Sequence, residues 1–339
     1  MSAAISITGV GAVSPAGWGV EALVKAIRSG ETIAPSSIER PSGEITVITP
    51  VLRVPAEGAT TPKFARLRRT SPISKFAAAA AAEALGEERL AEIAAGKLRV
   101  GVIFTLTNGC VNYSNRFYGE ALVDPAMASP ILFPETVFNA PSSHLSAMIG
   151  SSAPNDTLIA DSTGFFSGLD LAVEWIQRGD VDGCLVVSAE EIDWLSAEGL
   201  RLYSRGYMPS EGAAAVYVEK GDGPVKVLRL PDPISFSGSS RVEAAVEIRE
   251  RLAVGDDGKT LLVDGRAGLV RHDKPETEAW AHWNGARWSP RKILGEGMGV
   301  SAALQIVAAV RAVEGDEFEQ AVVTATGANQ QAAGVVLGR

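Results

Sequence analysis

Cysteine and histidine are scarce in this chain: its 339 residues hold two Cys and three His. Cys110 and Cys184 lie far apart with no CxxC spacing, so the sequence offers neither a disulfide framework nor a thiolate metal site. A reducing cytoplasm is the simplest setting, and no metal or cofactor is expected. Basic charge is in deficit as well, with 31 Lys and Arg against 40 Asp and Glu and a net charge of -9. Nucleic acid is a poor partner for such a chain, because phosphate binding needs clustered cations that release counterions. The one basic run, Lys63 to Arg69 (KFARLRR), reads as a solvated or partner-facing loop. Long apolar runs are missing too. No window approaches the ~18 apolar residues of a membrane span, and the start, MSAAISITGVGAVSP, has no basic segment ahead of an apolar core. Neither secretion nor membrane insertion is expected.

What is present is apolar content in the pattern of a layered protein. With 46% hydrophobic and 21% charged residues, the chain can bury a large core, as one big domain or two fused halves. Short runs rich in Val and Ile alternate with longer helical patterns, which points to an α/β architecture. Ala4 to Thr8 reads as a buried strand ended by Gly9 and Gly11, and Val20 to Arg28 as a helix stopped by Gly30. Pro72 to Leu85 (PISKFAAAAAAEAL) reads as an Ala-rich helix that opens on Pro and can pack closely on a neighbour. Leu98 to Leu106 follows as a strand. Leu169, Ala172, Val173 and Ile176 fall on one face of a helix closed by Gly179, with Cys184 to Val187 as the next strand. The unit helix, Gly-Asp, apolar strand then recurs: Gly297 to Arg311, Gly315-Asp316, Ala321 to Ala325. A unit repeated about half a chain apart suggests two similar α/β halves, although helix, loop and strand is also a common sequence of elements.

Several stretches, in order, resemble the β-ketoacyl synthase family of the thiolase fold. They are ITGVGAVSPAGWGVEALVKAIRSG near the start, PILFPETVFNAPSSHLSAMIG at 130–150, EGAAAVYVEK at 211–220, RAGLVRHDKPETEAW at 266–280, KILGEGMGVSAALQ at 292–305 and the terminal GANQQAAGVVLGR. The resemblance implies a thiolase-like α/β fold of two βαβαβ halves in a layered α-β-α-β-α sandwich, divided here at 1–220 and a shortened 221–339. Two stretches are reduced relative to the family, one between Glu191 and Glu211 and one between Met298 and the last strand.

The same resemblance places Ser162, in TLIADSTGFF, where the family carries its nucleophilic Cys. A thiol is partly thiolate near neutral pH, whereas a Ser hydroxyl needs a positioned base. Neither family His is present: the first position maps onto Gly265 in VDGRAG and the second onto Glu296 in GEGMG. Glycine handles no proton, and a carboxylate donates no hydrogen bond to a developing enolate. Lys292 lies near the place of the family Lys but one residue short, and Ala328 stands where a gating Phe is usual. The remnant of the oxyanion hole would be the backbone N–H groups of Ser162 and Ala328. Of the three His, His144 reads as a structural residue in a helix and His272 as a loop hydrogen-bonder beside Asp273; His282 also falls away from the family positions.

Three functions fit these residues. The chain resembles a chain length factor, the non-catalytic partner of a ketosynthase in type II polyketide synthases. That implies a heterodimer with a catalytic ketosynthase subunit, substrates carried by an acyl carrier protein that docks mainly on the partner, and an acyl tunnel shaped by this chain. The strand beside the dimer axis would be Thr157 to Ala160 and the capping loop Leu106 to Glu120, with Asn108, Cys110, Val111, Tyr113, Phe117 and nearby Phe133 as tunnel or interface residues. The alternatives are an acyltransferase or esterase using Ser162 with Glu296 as base, and a malonyl decarboxylase of the same fold. The first lacks a general acid, and the second lacks donors for the enolate oxygen.

Overall fold

The computed structural model describes residues 4–328 and 330–339. Ten strands run side by side in one mixed sheet that divides into two half-sheets of the same design. In the first, β1 (Ile5–Ser14), β5 (Gly212–Lys220), β4 (Gly183–Glu190), β2 (Val100–Leu106) and β3 (Asn155–Ile159) are neighbours in that order. Their pairings are antiparallel, antiparallel, parallel and parallel. In the second, β6 (Val225–Arg229), β10 (Gln331–Gly338), β9 (Gln320–Thr326), β7 (Thr260–Val263) and β8 (Arg287–Trp288) repeat the same sequence of pairings. The halves join where β1 meets β6, antiparallel, through Ser6 with Lys226 and Ile7 with Val225. The repeat seen in the sequence is this duplication.

Helices fill the layers. Between the half-sheets lie α5 (Gly164–Arg178) and α10 (Gly299–Glu314), which pack on each other; α10 also touches strands of both halves. All of α10 from Gly299 to Val313 is buried except Arg311, as its almost continuous apolar sequence requires of a helix with sheet on both sides. On the outer face of the first half-sheet, α2 (Pro72–Ala94) covers β1, β5 and β4, with α4 (Ala140–Ile149) beside it. On the outer face of the second, α7 (Arg241–Leu252) covers β10 and α8 (Val270–Ala279) covers β9. The result is the α-β-α-β-α sandwich of the thiolase fold.

Gly9 and Gly11 do not end the first strand; β1 passes through both to Ser14. A Cβ at Gly9 would lie 1.9 Å from the Ala84 carbonyl oxygen, and one at Gly11 1.9 Å from that of Ala80. The Ala-rich face of α2 packs directly on the strand backbone, so these glycines mark close approach rather than a turn. Gly86, with φ 69 and ψ 170, then breaks α2 where the sequence pattern stops at Leu85. Among the described residues no helix is long and apolar enough to cross a membrane.

Candidate functional site

Ser162 sits in the turn that leads from β3 into α5, at the mouth of the middle layer. The turn is built by Asp161, whose Oδ1 accepts from the Thr163 backbone N–H at 3.0 Å and from its hydroxyl at 2.8 Å. Gly164 is required there, since a Cβ would come within 2.7 Å of Ala160 Cβ. Thr107, just past β2, ties the preceding strand by donating to the Ala160 carbonyl at 2.7 Å. Ser162 itself is buried, and among the described residues its hydroxyl has no hydrogen-bond partner. It opens onto a cavity of about 240 Å³ whose wall includes Leu200, Tyr203, Tyr207, Arg291, Glu296, Met298 and Ala328.

Glu296 enters this wall from the loop between α9 (Arg291–Leu294) and α10. Its Oε1 accepts from the Met298 N–H at 2.8 Å and from the Ser301 hydroxyl at 3.1 Å, while Oε2 is held in a buried ion pair by Arg291 Nη2. Both carboxylate oxygens are thus committed to structure. Arg291 in turn donates from Nη1 to the Gly265 carbonyl at 2.6 Å, and its guanidinium lies 5.8 Å from the Tyr207 ring centre. A Cβ on Gly265 would stand 3.5 Å from Arg291 Nη1, so a larger side chain there would meet the guanidinium. One arginine therefore joins the two positions at which the sequence comparison expects histidines.

Arg291 was not legible as a site residue, whereas its neighbour Lys292 was expected here. Lys292 is exposed and lines a neighbouring cavity with Ala267 and Met208, one that shares Tyr207, Arg291 and Glu296 with the Ser162 cavity but not Ser162 itself. The one-residue shortfall before Glu296 puts the arginine, not the lysine, on the inward face of α9. Behind Gly265 lies Glu276, fully buried, accepting from the hydroxyls of Thr324 at 2.8 Å and Thr326 at 3.0 Å. Burial first, and then the charge of Asp264, push this carboxyl up to about 7, against the opposing hydroxyl donors.

Aromatic rings close the cavity on the outside. Tyr203 and Tyr207 stack with ring centres 6.2 Å apart, and His272 lies 5.4 Å from the first and 5.0 Å from the second. The Tyr203 hydroxyl donates to the Ala328 carbonyl at 3.0 Å, so a tyrosine latches onto the backbone where a gating Phe was expected. His272 is not in a loop; it belongs to α8, and burial together with the charges of Arg241 and Arg271 holds its imidazole below the usual range. The loop bonds anticipated for it are made by Asp273, which accepts from the N–H groups of Ala267, Gly268 and Leu269 at 2.8 Å. His144 lies in α4 and bonds Glu135 Oε1 at 2.8 Å, and His282 is exposed.

The family model for the β-ketoacyl synthase N-terminal domain matches residues 2–225. The chain belongs to the β-ketoacyl synthase family. Structural likeness extends over the whole chain. The ishigamide ketosynthase/chain length factor superposes with a TM-score of 0.82 at 20% identity, covering 98% of this chain and 99% of that one. The ketosynthase ApeO in complex with its chain length factor ApeC, from Xenorhabdus doucetiae, gives 0.81 at 13% identity over 99% and 98%. A β-ketoacyl synthase from Burkholderia phymatum STM815 gives 0.79 at 16% identity over 99% of each chain. No curated protein matches the sequence. At these identities the likeness speaks for the fold.

Within that family fold, the expected capping loop at 106–120 is largely a helix, α3 (Val111–Val123). It begins beside Glu190 and Glu191. Buried Glu190 accepts from the N–H groups of Thr107 and Asn108 and of Gly299 at the start of α10. Glu191 accepts from the Ser71 hydroxyl and from the N–H groups of Ile73 and Asn112, fastening the starts of α2 and α3 together. Burial pushes Glu190 up to about 7. Of the expected tunnel residues, Asn108 and Val111 line a second, larger cavity of about 530 Å³ between α3 and α6 (Trp194–Tyr203). Its wall also includes Tyr118, Leu195, Leu200 and Met298, the last two shared with the Ser162 cavity. Met298 is the partition, with φ 51 and a sulfur that accepts from Asn108 Nδ2 at 3.0 Å. Cys110 is buried under α3, where desolvation raises its thiol far above the reactive range. Tyr113 is partly buried and does not line that cavity. Phe117 and exposed Phe133 pack on each other with ring centres 5.6 Å apart.

Proposed function

We propose that this chain is a catalytically silent, chain-length-factor-like subunit that pairs with an active ketosynthase and shapes the acyl tunnel during elongation on an acyl carrier protein. The observation that carries this reading is the Arg291–Glu296 pair. Acyl transfer from Ser162 needs a base to take its proton, and Glu296 spends Oε1 on Met298 and Ser301 and Oε2 on Arg291. No histidine stands at either family position, and Gly265 presents only a carbonyl already bonded to the guanidinium. The Ser162 acyltransferase and the malonyl decarboxylase both lose their proton handling at this point.

A pairing surface supports the same reading. The sheet ends at β3 on one side and at β8 on the other, but β8 has two residues and β3 has five. An open edge of that length is a template for strand pairing unless it is protected. Its exposed groups are mixed: Asn155 and Asp156 begin the strand, and apolar surface follows at Ile159 on the strand and at Val137 and Phe138 just ahead of α4, which packs beside it. Leu122, Val123, Met127 and Ile131 extend the exposed apolar surface along α3 and the segment after it. The structural neighbours named above include a ketosynthase in complex with its chain length factor, and pairing through β3 would give this surface a use.

Co-expression with a ketosynthase bearing an intact Cys and His set tests the proposal. A stable one-to-one complex is expected, with condensing activity that appears only in the complex and survives Ser162→Ala. A chain that ignores the ketosynthase and takes up an acyl group on Ser162 would overturn it.

A further inference from the structure

The sequence holds two Asn-Gly pairs, Asn108-Gly109 and Asn284-Gly285. Such a pair is the least hindered setting for an internal reaction of the asparagine amide, because glycine places no Cβ beside its own backbone nitrogen. The glycine nitrogen attacks Asn Cγ, the bond from Cγ to Nδ2 breaks, and ammonia leaves with the proton of the glycine N–H. Water then opens the cyclic imide. Cleavage between Cγ and the glycine nitrogen gives Asp; cleavage at the main-chain carbonyl gives isoaspartate, whose backbone runs through the side chain and is one methylene longer. Nothing is oxidised or reduced: one amide and one water become one carboxyl group and one ammonia.

The fold treats the two pairs differently. Asn108 is partly buried; its N–H donates to Glu190 Oε2 at 3.2 Å and its Nδ2 to the Met298 sulfur at 3.0 Å. Gly109, with φ 73, lies so close to the Phe138 ring that a Cβ would meet it at 3.0 Å. The Asn108 amide can reach the next nitrogen only after these contacts give way. Asn284 is exposed on the loop between α8 and β8. Among the described residues its side chain makes one bond, from Nδ2 to the His282 carbonyl at 3.2 Å, and the Gly285 N–H has no acceptor.

We infer that Asn284 is a site of spontaneous deamidation, that the fold protects Asn108 from the same reaction, and that conversion of Asn284 unclips one edge of the second half-sheet. The clip is the Asn284 backbone N–H, which donates to Asp256 Oδ2 at 2.9 Å from across the loop between α7 and β7. Gly285 is packed against the same carboxylate: a Cβ there would stand 2.4 Å from Asp256 Oδ1. An Asp at 284 sets a second carboxylate beside Asp256, and the two charges repel. Isoaspartate instead inserts a methylene immediately ahead of that tight contact. Ala286, next in the loop, accepts the Leu262 N–H of β7 at 3.0 Å, so either product loosens the attachment of β8. The inference does not depend on the pairing proposal, since every group it uses belongs to this chain.

Incubation of the full chain at mildly alkaline pH in water enriched in oxygen-18, followed by peptide mapping, tests it. The peptide containing Asn284 should take up heavy oxygen and yield isoaspartate at least about tenfold faster than the peptide containing Asn108, since a protected site reacts only through local opening. In denaturant the two peptides should label at similar rates. Asn284→Gln keeps the backbone N–H and an amide but needs a larger ring to react, and should stay unlabelled. The aged parent should melt at a lower temperature than the fresh parent, as should freshly prepared Asn284→Asp, whereas aged Asn284→Gln should melt as it did at the start. No label at Asn284, labelling of Asn108 in the folded chain at an equal or higher rate, a rate difference that persists in denaturant, or a melting temperature indifferent to conversion would each overturn the inference.

Discussion

Arg291 and Glu296 face each other across the wall of the Ser162 cavity, each more than nine-tenths buried, with the arginine also bonded to the Gly265 carbonyl. A buried pair of this kind adds little over a well-packed apolar pair, but removing one partner leaves the other charge desolvated and alone. Glu296→Gln or Arg291→Met should therefore lower unfolding free energy by about 3–5 kcal/mol. The double variant Arg291→Met/Glu296→Leu should recover much of that loss. Denaturant titrations of the three variants check the expectation, and full additivity of the single losses would contradict it.

Gly265 provides a graded test of the same packing. A Cβ there would meet Ala325 Cα at 3.4 Å and Arg291 Nη1 and Glu276 Oε1 at 3.5 Å, all ordinary contacts. Gly265→Ala should be nearly neutral. Gly265→His must displace the guanidinium and should cost about 1–3 kcal/mol by overpacking. Reinstating Cys at 162 and His at 265 and 296 should yield no condensing activity while Arg291 remains, as measured by carrier-bound product formation.

Glu190 and Glu276 set a pH dependence with a definite sign. Both are fully buried carboxyls held up to about 7, above the 4.5 of an ordinary Glu. Between those values the folded chain binds more protons than the unfolded chain, so their contribution to stability falls as pH rises from about 4.5 to 7 and is then constant. Glu276→Gln keeps an acceptor for Thr324 and Thr326 and removes one of these titrations. The variant should lose less stability than the parent between pH 5 and pH 7.5. Thermal melts across that window decide it, and parallel slopes would refute the assignment.

How much of this was legible in the sequence depends on which neighbours a residue answers to. The strand, helix and Gly-Asp-strand repeat was readable because burial on both sides leaves an apolar run, as in Gly299 to Glu314. Gly9 and Gly11 were misread as strand ends, since their reason is the backbone of α2, some seventy residues away in sequence. The loop at 106–120 was misread for a related reason: α3 is fastened at its start by Glu191, which bonds the Asn112 N–H from the end of β4. Arg291 was missed because burial of an arginine has no local signature. The one available signal was a lone Glu five residues downstream in an otherwise apolar, Gly-rich segment.

The partition between the two cavities gives a further prediction. Met298 holds φ 51 and ψ -118, a backbone region that suits glycine and costs other residues of order 1–3 kcal/mol. Met298→Gly should relieve that strain and offset most of the packing lost with the side chain, leaving the melting temperature close to that of the parent. It should also join the cavities. In a Ser162→Cys background, a long-chain alkyl maleimide should then label position 162 faster than in the same background with Met298 intact, with rates followed by intact mass.

The open edge of β3 gives the last. Thr157 does not spend its N–H on the neighbouring strand; it is met by the adjacent Asp156 Oδ1 at 2.7 Å. Ile159 on the same strand is 59% exposed. An exposed isoleucine contributes little to the fold of the single chain, so Ile159→Lys should change its unfolding free energy by no more than about 0.5 kcal/mol. In a strand-paired dimer the same position is desolvated, and a lysine there places an unpaired charge at the centre of the contact, as natural edge strands do to prevent pairing. The complex with the ketosynthase should fall apart in light scattering while circular dichroism of the isolated chain is unchanged. If Ile159→Lys still co-purifies one-to-one with its partner, the chains meet elsewhere, and the exposed apolar surface along α3 becomes the next face to test.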